Sequence, residues 1–179
     1  MTKIALIIGS LSRASINRTV AQHLAAQAPE GVTVEEVQIG DLPLYTQDLD
    51  SESIPAYERV RAQLQAADAV LIVSPEHNRS MPAAVKNLLD IASRPAGKSL
   101  WGGKKTAVIT ASPGSYGGIN SGLHIRQSLQ AMSADVMIAP EVFLSRAHTA
   151  LADGQVSDAR TAAFLNKFAA AFYAWAQAE

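Results

Sequence analysis

The stretch Lys3-Ile4-Ala5-Leu6-Ile7-Ile8-Gly9-Ser10-Leu11-Ser12-Arg13-Ala14-Ser15-Ile16-Asn17 decides the fold. Lys3 to Ile8 is a short, continuous apolar run, as expected of a strand buried on both faces; a strand covered on one face would alternate. It stops at Gly9-Ser10. Ser15 then precedes an amphipathic segment from Ile16 to Ala28, with Val20, Leu24 and the alanines on one side, closed by Pro29-Glu30-Gly31. A buried strand, a polar loop and a helix in that order are the first half of a βαβ unit.

The same alternation continues down the chain. Val32 to Ile39 alternates imperfectly and predicts an edge strand, followed by a long loop from Gly40 to Pro55. Ala56 to Ala67 predicts a helix and Asp68 to Ser74 a second buried strand that ends at Pro75. Pro82 opens a helix to Ser93, with Val85, Leu88, Leu89 and Ala92 on one face. Lys105 to Ala111 predicts a strand and Ile119 to Met132 a helix. Val136 to Ala139 predicts a short fifth strand resumed by Val142-Phe143-Leu144, and Asp153-Gly154 a turn. Ser157 is the expected cap of a last helix through Phe164, Phe168, Phe172 and Trp175. Parallel neighbours need right-handed crossover connections, so this order predicts one doubly wound α/β domain over residues 1–179, with a parallel sheet covered by helices on both faces.

Composition narrows the chemistry. Lys+Arg number 15 against Asp+Glu 16, so no basic excess is available to hold nucleic acid by counterion release. The absence of cysteine excludes thiolate nucleophiles, disulfides and cysteine-bound metal. No H-x-x-H, H-E-x-x-H or carboxylate cluster has metal-ligand spacing, and no metal is expected. No apolar run approaches the ~20 residues that span a bilayer, and Ile4 to Ile8 is too short for a signal-peptide core; no membrane partner and a cytoplasmic location are expected.

In doubly wound sheets ligands sit outside the carboxyl ends of the strands. Three loops fall there. Gly9 to Asn17 places hydroxyls, a guanidinium and an amide side chain at a helix N-terminus, a donor set suited to a phosphate. It carries neither G-x-G-x-x-G nor G-K-[ST], so a dinucleotide held on glycines is disfavoured, and a terminal monophosphate suits the hydroxyls. The plain alternative is that Ser15 is only a helix cap. In Ser74 to Pro82, prolines at both ends stiffen the loop, so that the amides of Glu76 to Asn78 form a rigid array suited to hydrogen-bonding the edge of a flat heterocycle; the alternative is a β-turn plus helix cap with His77 and Arg79 in solvent. Ser112 to Gly118 combines glycines, hydroxyls and the aromatic Tyr116.

Taken together, Gly9-Ser10-Leu11-Ser12-Arg13-Ala14-Ser15-Ile16-Asn17-Arg18, Pro75-Glu76-His77-Asn78 with Pro82 and Lys86-Asn87, and Ser112-Pro113-Gly114 with Gly117-Gly118 resemble the NADPH-dependent FMN reductase family. The resemblance implies a flavodoxin-like five-stranded parallel sheet of order 2-1-3-4-5 and a bound FMN, with NADPH or NADH as electron donor. Its phosphate loop falls on Ser10, Arg13, Ser15, Ile16 and Asn17. Its isoalloxazine loop falls on Pro75, Glu76, His77 and Asn78, and its second flavin loop on Ser112, Pro113, Gly114, Tyr116 and Gly117. Two positions depart from the family pattern: Ser12 stands where many members have arginine, shifting the cation to Arg13, and His77 replaces a common tyrosine, which bears on flavin stacking and on the pH profile.

The resemblance further implies ping-pong hydride transfer from nicotinamide to flavin and then to a small-molecule electron acceptor such as a quinone or free flavin. No side chain need act as a nucleophile. Arg79 is the candidate for the nicotinamide-nucleotide phosphates. Homodimers or homotetramers are implied through the helices that carry Leu88, Ile91, Leu123 and Leu129. Asn17→Ala is expected to weaken FMN binding if Asn17 serves the phosphate loop. Two rival readings stay open: a nucleoside N-glycosidic hydrolase or transferase with Glu76 as nucleophile and Asn78 on the sugar, and a non-enzymatic FMN-binding protein. Cysteine-dependent phosphatases are excluded, and a net charge of -1 argues against a one-electron carrier that docks through a strongly acidic surface.

Overall fold

The computed structural model describes residues 1–178. Its sheet runs in the order β2-β1-β3-β4-β5, with β1 at Thr2–Ile8, β2 at Val32–Glu36, β3 at Ala69–Ser74, β4 at Lys105–Ala111 and β5 at Asp135–Val136. Every pairing in it is parallel, from Ile4 against both Val34 and Ala69 to Ser74 against Thr110. The helices are α1 at Ile16–Ala25, α2 at Pro55–Ala66, α3 at Ala83–Ser93, α4 at Ile119–Ala131 and α5 at Ala159–Gln177.

The pleat sends successive residues to opposite faces, and two cores result. Ile4, Leu6, Leu71, Val73, Ala107 and Ile109 pack under α1 and α5, where Leu24, Phe168 and Phe172 close the layer. Ala5, Ile7, Val70, Ile72 and Val108 pack under α2, α3 and α4 with Leu64, Leu88, Ile125 and Trp101. Trp101 is wholly enclosed, and its indole N–H donates to Leu89 O at 3.0 Å, so burying it leaves no polar group unpaired. No helix among the described residues is long and apolar enough to cross a membrane.

The C-terminal third departs from the sequence reading. The fifth strand, expected to run from Val136 to Ala139, stops at Val136 as β5, and its expected resumption at Val142–Leu144 is β6, which pairs with the far half of β4. The ladder of β5 stops after Met137 N, which donates to Thr106 O at 3.0 Å. The Arg126 side chain of α4 fills the gap: its guanidinium donates to Met137 O at 2.6 Å and to Val108 O at 3.1 Å. Asp153-Gly154 is the turn of a small antiparallel hairpin, β7 at Leu151–Ala152 and β8 at Gln155–Val156. Asp158 rather than Ser157 caps α5, its carboxylate accepting from Thr161 N at 2.7 Å, because the Ser157 hydroxyl is turned to Ala150 O. Pro82 sits one residue before α3 as its cap, and α1 ends three residues earlier than expected.

Candidate active site

β1, β3 and β4 end side by side, and each releases one of the three loops. The close spacing of these ends accounts for Gly9. Its N–H donates to Val73 O at 2.9 Å, and a Cβ there would lie 2.7 Å from Ser74 Oγ and 2.8 Å from Val85 Cγ2.

Ser15 does cap α1, its hydroxyl accepting from Arg18 N at 3.2 Å, yet this leaves the Ser15 O–H free to donate outward. The first amides of α1, Ile16 and Asn17, have no carbonyl four residues back, and the half-buried Ser10 and exposed Ser12 and Arg13 hold no internal side-chain hydrogen bond among the described residues. Arg18, the other cation nearby, is committed: it binds Glu36 in a fork at 2.7 and 2.9 Å. That bond holds the Arg18 guanidinium above its ordinary range and the Glu36 carboxyl below its own. Arg13 is therefore the uncommitted guanidinium of this loop.

Asn17 is placed differently from expectation. Only 3% of it is exposed, its Nδ2 donates to Ala111 O at 3.1 Å, and its Oδ1 is enclosed without a partner. As the chain stands, the Asn17 side chain ties the start of α1 to the end of β4.

The second loop contains the tight turn that composition left open. His77 N donates to Ser80 O at 3.0 Å and Ser80 N to His77 O at 2.9 Å, with Asn78 and Arg79 both at positive φ, 48° and 67°. The His77 amide is therefore spent inside the turn, which corrects the expectation of three free amides; those of Glu76 and Asn78 remain unpaired among the described residues. Asn tolerates the left-handed region, whereas Arg79 occupies it at a cost of about 1–2 kcal/mol. Two contacts hold Arg79 in place: Glu76 Oε1 at 3.8 Å, and the Tyr116 ring, whose centroid lies 4.7 Å from the guanidinium carbon.

Glu76 has an architectural task. Its Oε2 accepts from Asn120 N at 2.9 Å and Ser121 N at 3.3 Å, capping α4 across the sheet top, while the Ser121 hydroxyl donates to Pro75 O at 2.8 Å. A carboxylate at a helix N-terminus is favourable there, and it is poorly placed to attack a sugar.

In the third loop Ser112 Oγ accepts from Gly114 N at 3.0 Å, and Pro113, Gly114 and Tyr116 are exposed, Tyr116 by 63%. Gly117 is buried at φ 63°, where a side chain would collide with the backbone carbonyl of Phe143, so this glycine answers to β6 rather than to close approach by a ligand. Gly117 O accepts from Thr110 Oγ1 at 2.7 Å, fixing the loop to its own strand.

Sequence reasoning missed two features. The end of β6 also borders the site, since Arg146 N donates to Gly114 O at 2.9 Å and Ala147 N to Ser112 O at 3.0 Å. The strand-end rule applied to Val142 to Leu144 would have found it. The second is Ser80 Oγ, 3.0 Å from His124 Nδ1 of α4, a pairing across 44 residues that no local pattern announces.

The donor set suits a group with a terminal phosphate and a flat ring: free hydroxyls, one free guanidinium and open helix amides at α1, then unpaired amides and an exposed aromatic ring at the neighbouring strand ends. Comparison with known proteins agrees. The chain is 42% identical over 173 residues to a quinone reductase of Pseudomonas putida, covering 96% of this chain and 93% of the relative. It is 40% identical over 174 residues to a 2-hydroxy-1,4-benzoquinone reductase of a Burkholderia species, covering 97% and 95%. The solved structure of FerB, a flavoenzyme NAD(P)H:(acceptor) oxidoreductase from Paracoccus denitrificans, superposes with a TM-score of 0.90 at 35% identity, covering 99% of this chain and 98% of that one. Residues 2–149 match the family described as NADPH-dependent FMN reductase, and the chain belongs to that family.

Proposed function

We propose that the three loops form a single FMN site and that the chain, as one unit, passes two electrons from NADPH or NADH through that FMN to a flat acceptor, a quinone or free flavin. The uncommitted donors at the start of α1, beside two further strand-end loops, carry this reading, and the relatives named for quinone and benzoquinone reduction support the acceptor class. When bound, FMN supplies the hydride acceptance and delivery that no side chain of this chain offers.

The protein's part is placement. Ser10, Ser12, Ser15 and Arg13, with the Ile16 and Asn17 amides, hold the phosphate; the charge-assisted bonds from Arg13 are the strongest of these. The Glu76 and Asn78 amides bond the ring edge, kept in position by Pro75, the His77–Ser80 turn and the Glu76 cap on α4. Tyr116, Ser112, Pro113 and Gly114 would line the ring, and Arg79 would meet the donor's phosphates. Donor and acceptor share one exposed face, so the kinetics are ping-pong. The chain works in the cytoplasm as a dimer or tetramer through the α3 and α4 surface; of the residues expected there, Leu88, Ile91 and Leu129 are spent in the core, and Leu123, 47% exposed, is the one that remains on it.

The test is an absorbance titration of the purified chain with FMN, then anaerobic addition of NADPH or NADH and re-oxidation with benzoquinone. Flavin bands that bleach and return, with parallel double-reciprocal plots, are expected. No flavin uptake at micromolar concentration refutes the proposal.

A further inference from the structure

A groove of about 430 Å³ lies behind the third loop, bounded by Arg146 and Thr149 at the end of β6 and by Asp158, Arg160, Thr161 and Phe164 at the start of α5. It shares a wall with the flavin loop, because the Arg146 and Ala147 amides bond Gly114 O and Ser112 O. The ion pairs among the described residues involve neither of its guanidiniums. Arg160 is the second residue of α5, in the first turn, where the helix dipole disfavours a cation, so its placement there does nothing for the helix. Arg146 is held by its backbone, with its N–H on Gly114 O and its carbonyl accepting from Thr149 N and Oγ1, both at 2.9 Å. The groove's anionic group, Asp158, is committed to Thr161 N at 2.7 Å and Thr161 Oγ1 at 2.6 Å. Arg160 acts on Asp158 through space without forming an ion pair within 4 Å, and with Arg146 unpaired among the described residues as well the groove is net positive; Phe164, 43% exposed, adds an aromatic face.

We propose that this groove is the subsite for the adenosine 2′-phosphate of NADPH, with Arg146 and Arg160 on the phosphomonoester and Phe164 against the adenine. The proposal rests on the reading of the neighbouring loops as an FMN site served by a nicotinamide nucleotide. A guanidinium fork matches a phosphate monoester bidentately, and the monoester's charge of nearly two suits a pair of arginines. NADH lacks that group, so the groove makes the chain selective for NADPH.

The probe is adenosine 2′,5′-bisphosphate, titrated calorimetrically against the chain, with 5′-AMP as the comparison. Arg160→Gln tests an exposed position; Arg146→Asn keeps a residue that tolerates the left-handed backbone there. The bisphosphate is expected to bind, and each variant to weaken it about tenfold or more while 5′-AMP binding moves less than twofold; the ratio of KM for NADPH to KM for NADH then rises about tenfold. No binding by the unaltered chain, equal binding by both variants, or an unchanged KM ratio overturns the proposal. FMN uptake followed by absorbance on the same samples separates the two failures. A chain that takes FMN but ignores the bisphosphate overturns the subsite alone, and a chain that takes neither overturns both.

Discussion

Replacing Glu76 separates its role as a helix cap from the chemical role its position in a strand-end loop first suggests. Its side chain is 12% exposed and accepts two α4 amides, those of Asn120 and Ser121. In Glu76→Ala both amides lose their partner and α4 loses a carboxylate at its positive end. A lost cap costs about 1 kcal/mol, and the charge–dipole contribution adds about 0.3–1 kcal/mol. The contact with Arg79 at 3.8 Å is half in solvent and adds little. The sum is about 1–2 kcal/mol, which for a chain of this length lowers the melting temperature by about 2–8 °C. Glu76→Gln keeps an oxygen for the two amides and is expected to lose about half as much. Thermal unfolding measured alongside NADPH–benzoquinone turnover is the assay. Because the carboxylate touches no reacting atom in this scheme, kcat of Glu76→Gln should stay within about tenfold of the unaltered chain. A fall of several orders of magnitude in a protein that melts normally would refute the capping role and return Glu76 to the position of a nucleophile or base.

Four further outcomes are expected. Arg13→Ala should weaken FMN binding by about 1.5–3 kcal/mol in a flavin titration, the range for hydrogen bonds to a charged group; unchanged affinity would remove it from the phosphate loop. Asn17→Ala should act first on stability, by about 1–3 kcal/mol in urea unfolding, because it strands the buried Ala111 carbonyl; full stability with weakened FMN binding would show direct contact instead. Arg126→Leu leaves the Met137 and Val108 carbonyls without a donor and should cost about 3–5 kcal/mol in the same measurement, with a native melting curve as the contrary result. Burial pushes the Tyr173 hydroxyl up to about 12, above its unfolded value near 10. Stability from Tyr173 is therefore fully present below about pH 10 and lost as pH rises toward 12, and Tyr173→Phe should flatten that alkaline fall; identical pH–melting curves would contradict it.

The legible parts of this protein are those in which neighbouring residues suffice. Continuous apolar runs such as Ile4 to Ile8 and Ala69 to Val73 announce doubly covered strands, the helices between them impose parallel order, and that order brings Gly9, Ser74 and Ala111 to the same end of the sheet. That the three loops meet follows from the sequence alone for that reason. The role of each side chain within them does not, because it depends on partners tens of residues away. Glu76 caps α4 because Asn120 and Ser121 arrive above it, Asn17 is consumed by Ala111 O, and Gly117 is required by the carbonyl of Phe143. Arg13 and Arg18 look alike in sequence, and Glu36, delivered by β2, takes one of them out of use. The early end of the fifth strand at Val136 is decided the same way. The Met137 and Val108 carbonyls can go without a strand partner only because a buried Arg126 reaches both. Hydrophobic periodicity is a local property and fixes which elements form. Hydrogen-bond satisfaction in the buried interior is shared between distant residues, so the tertiary structure alone decides which polar groups are spent on the fold and which remain for a ligand.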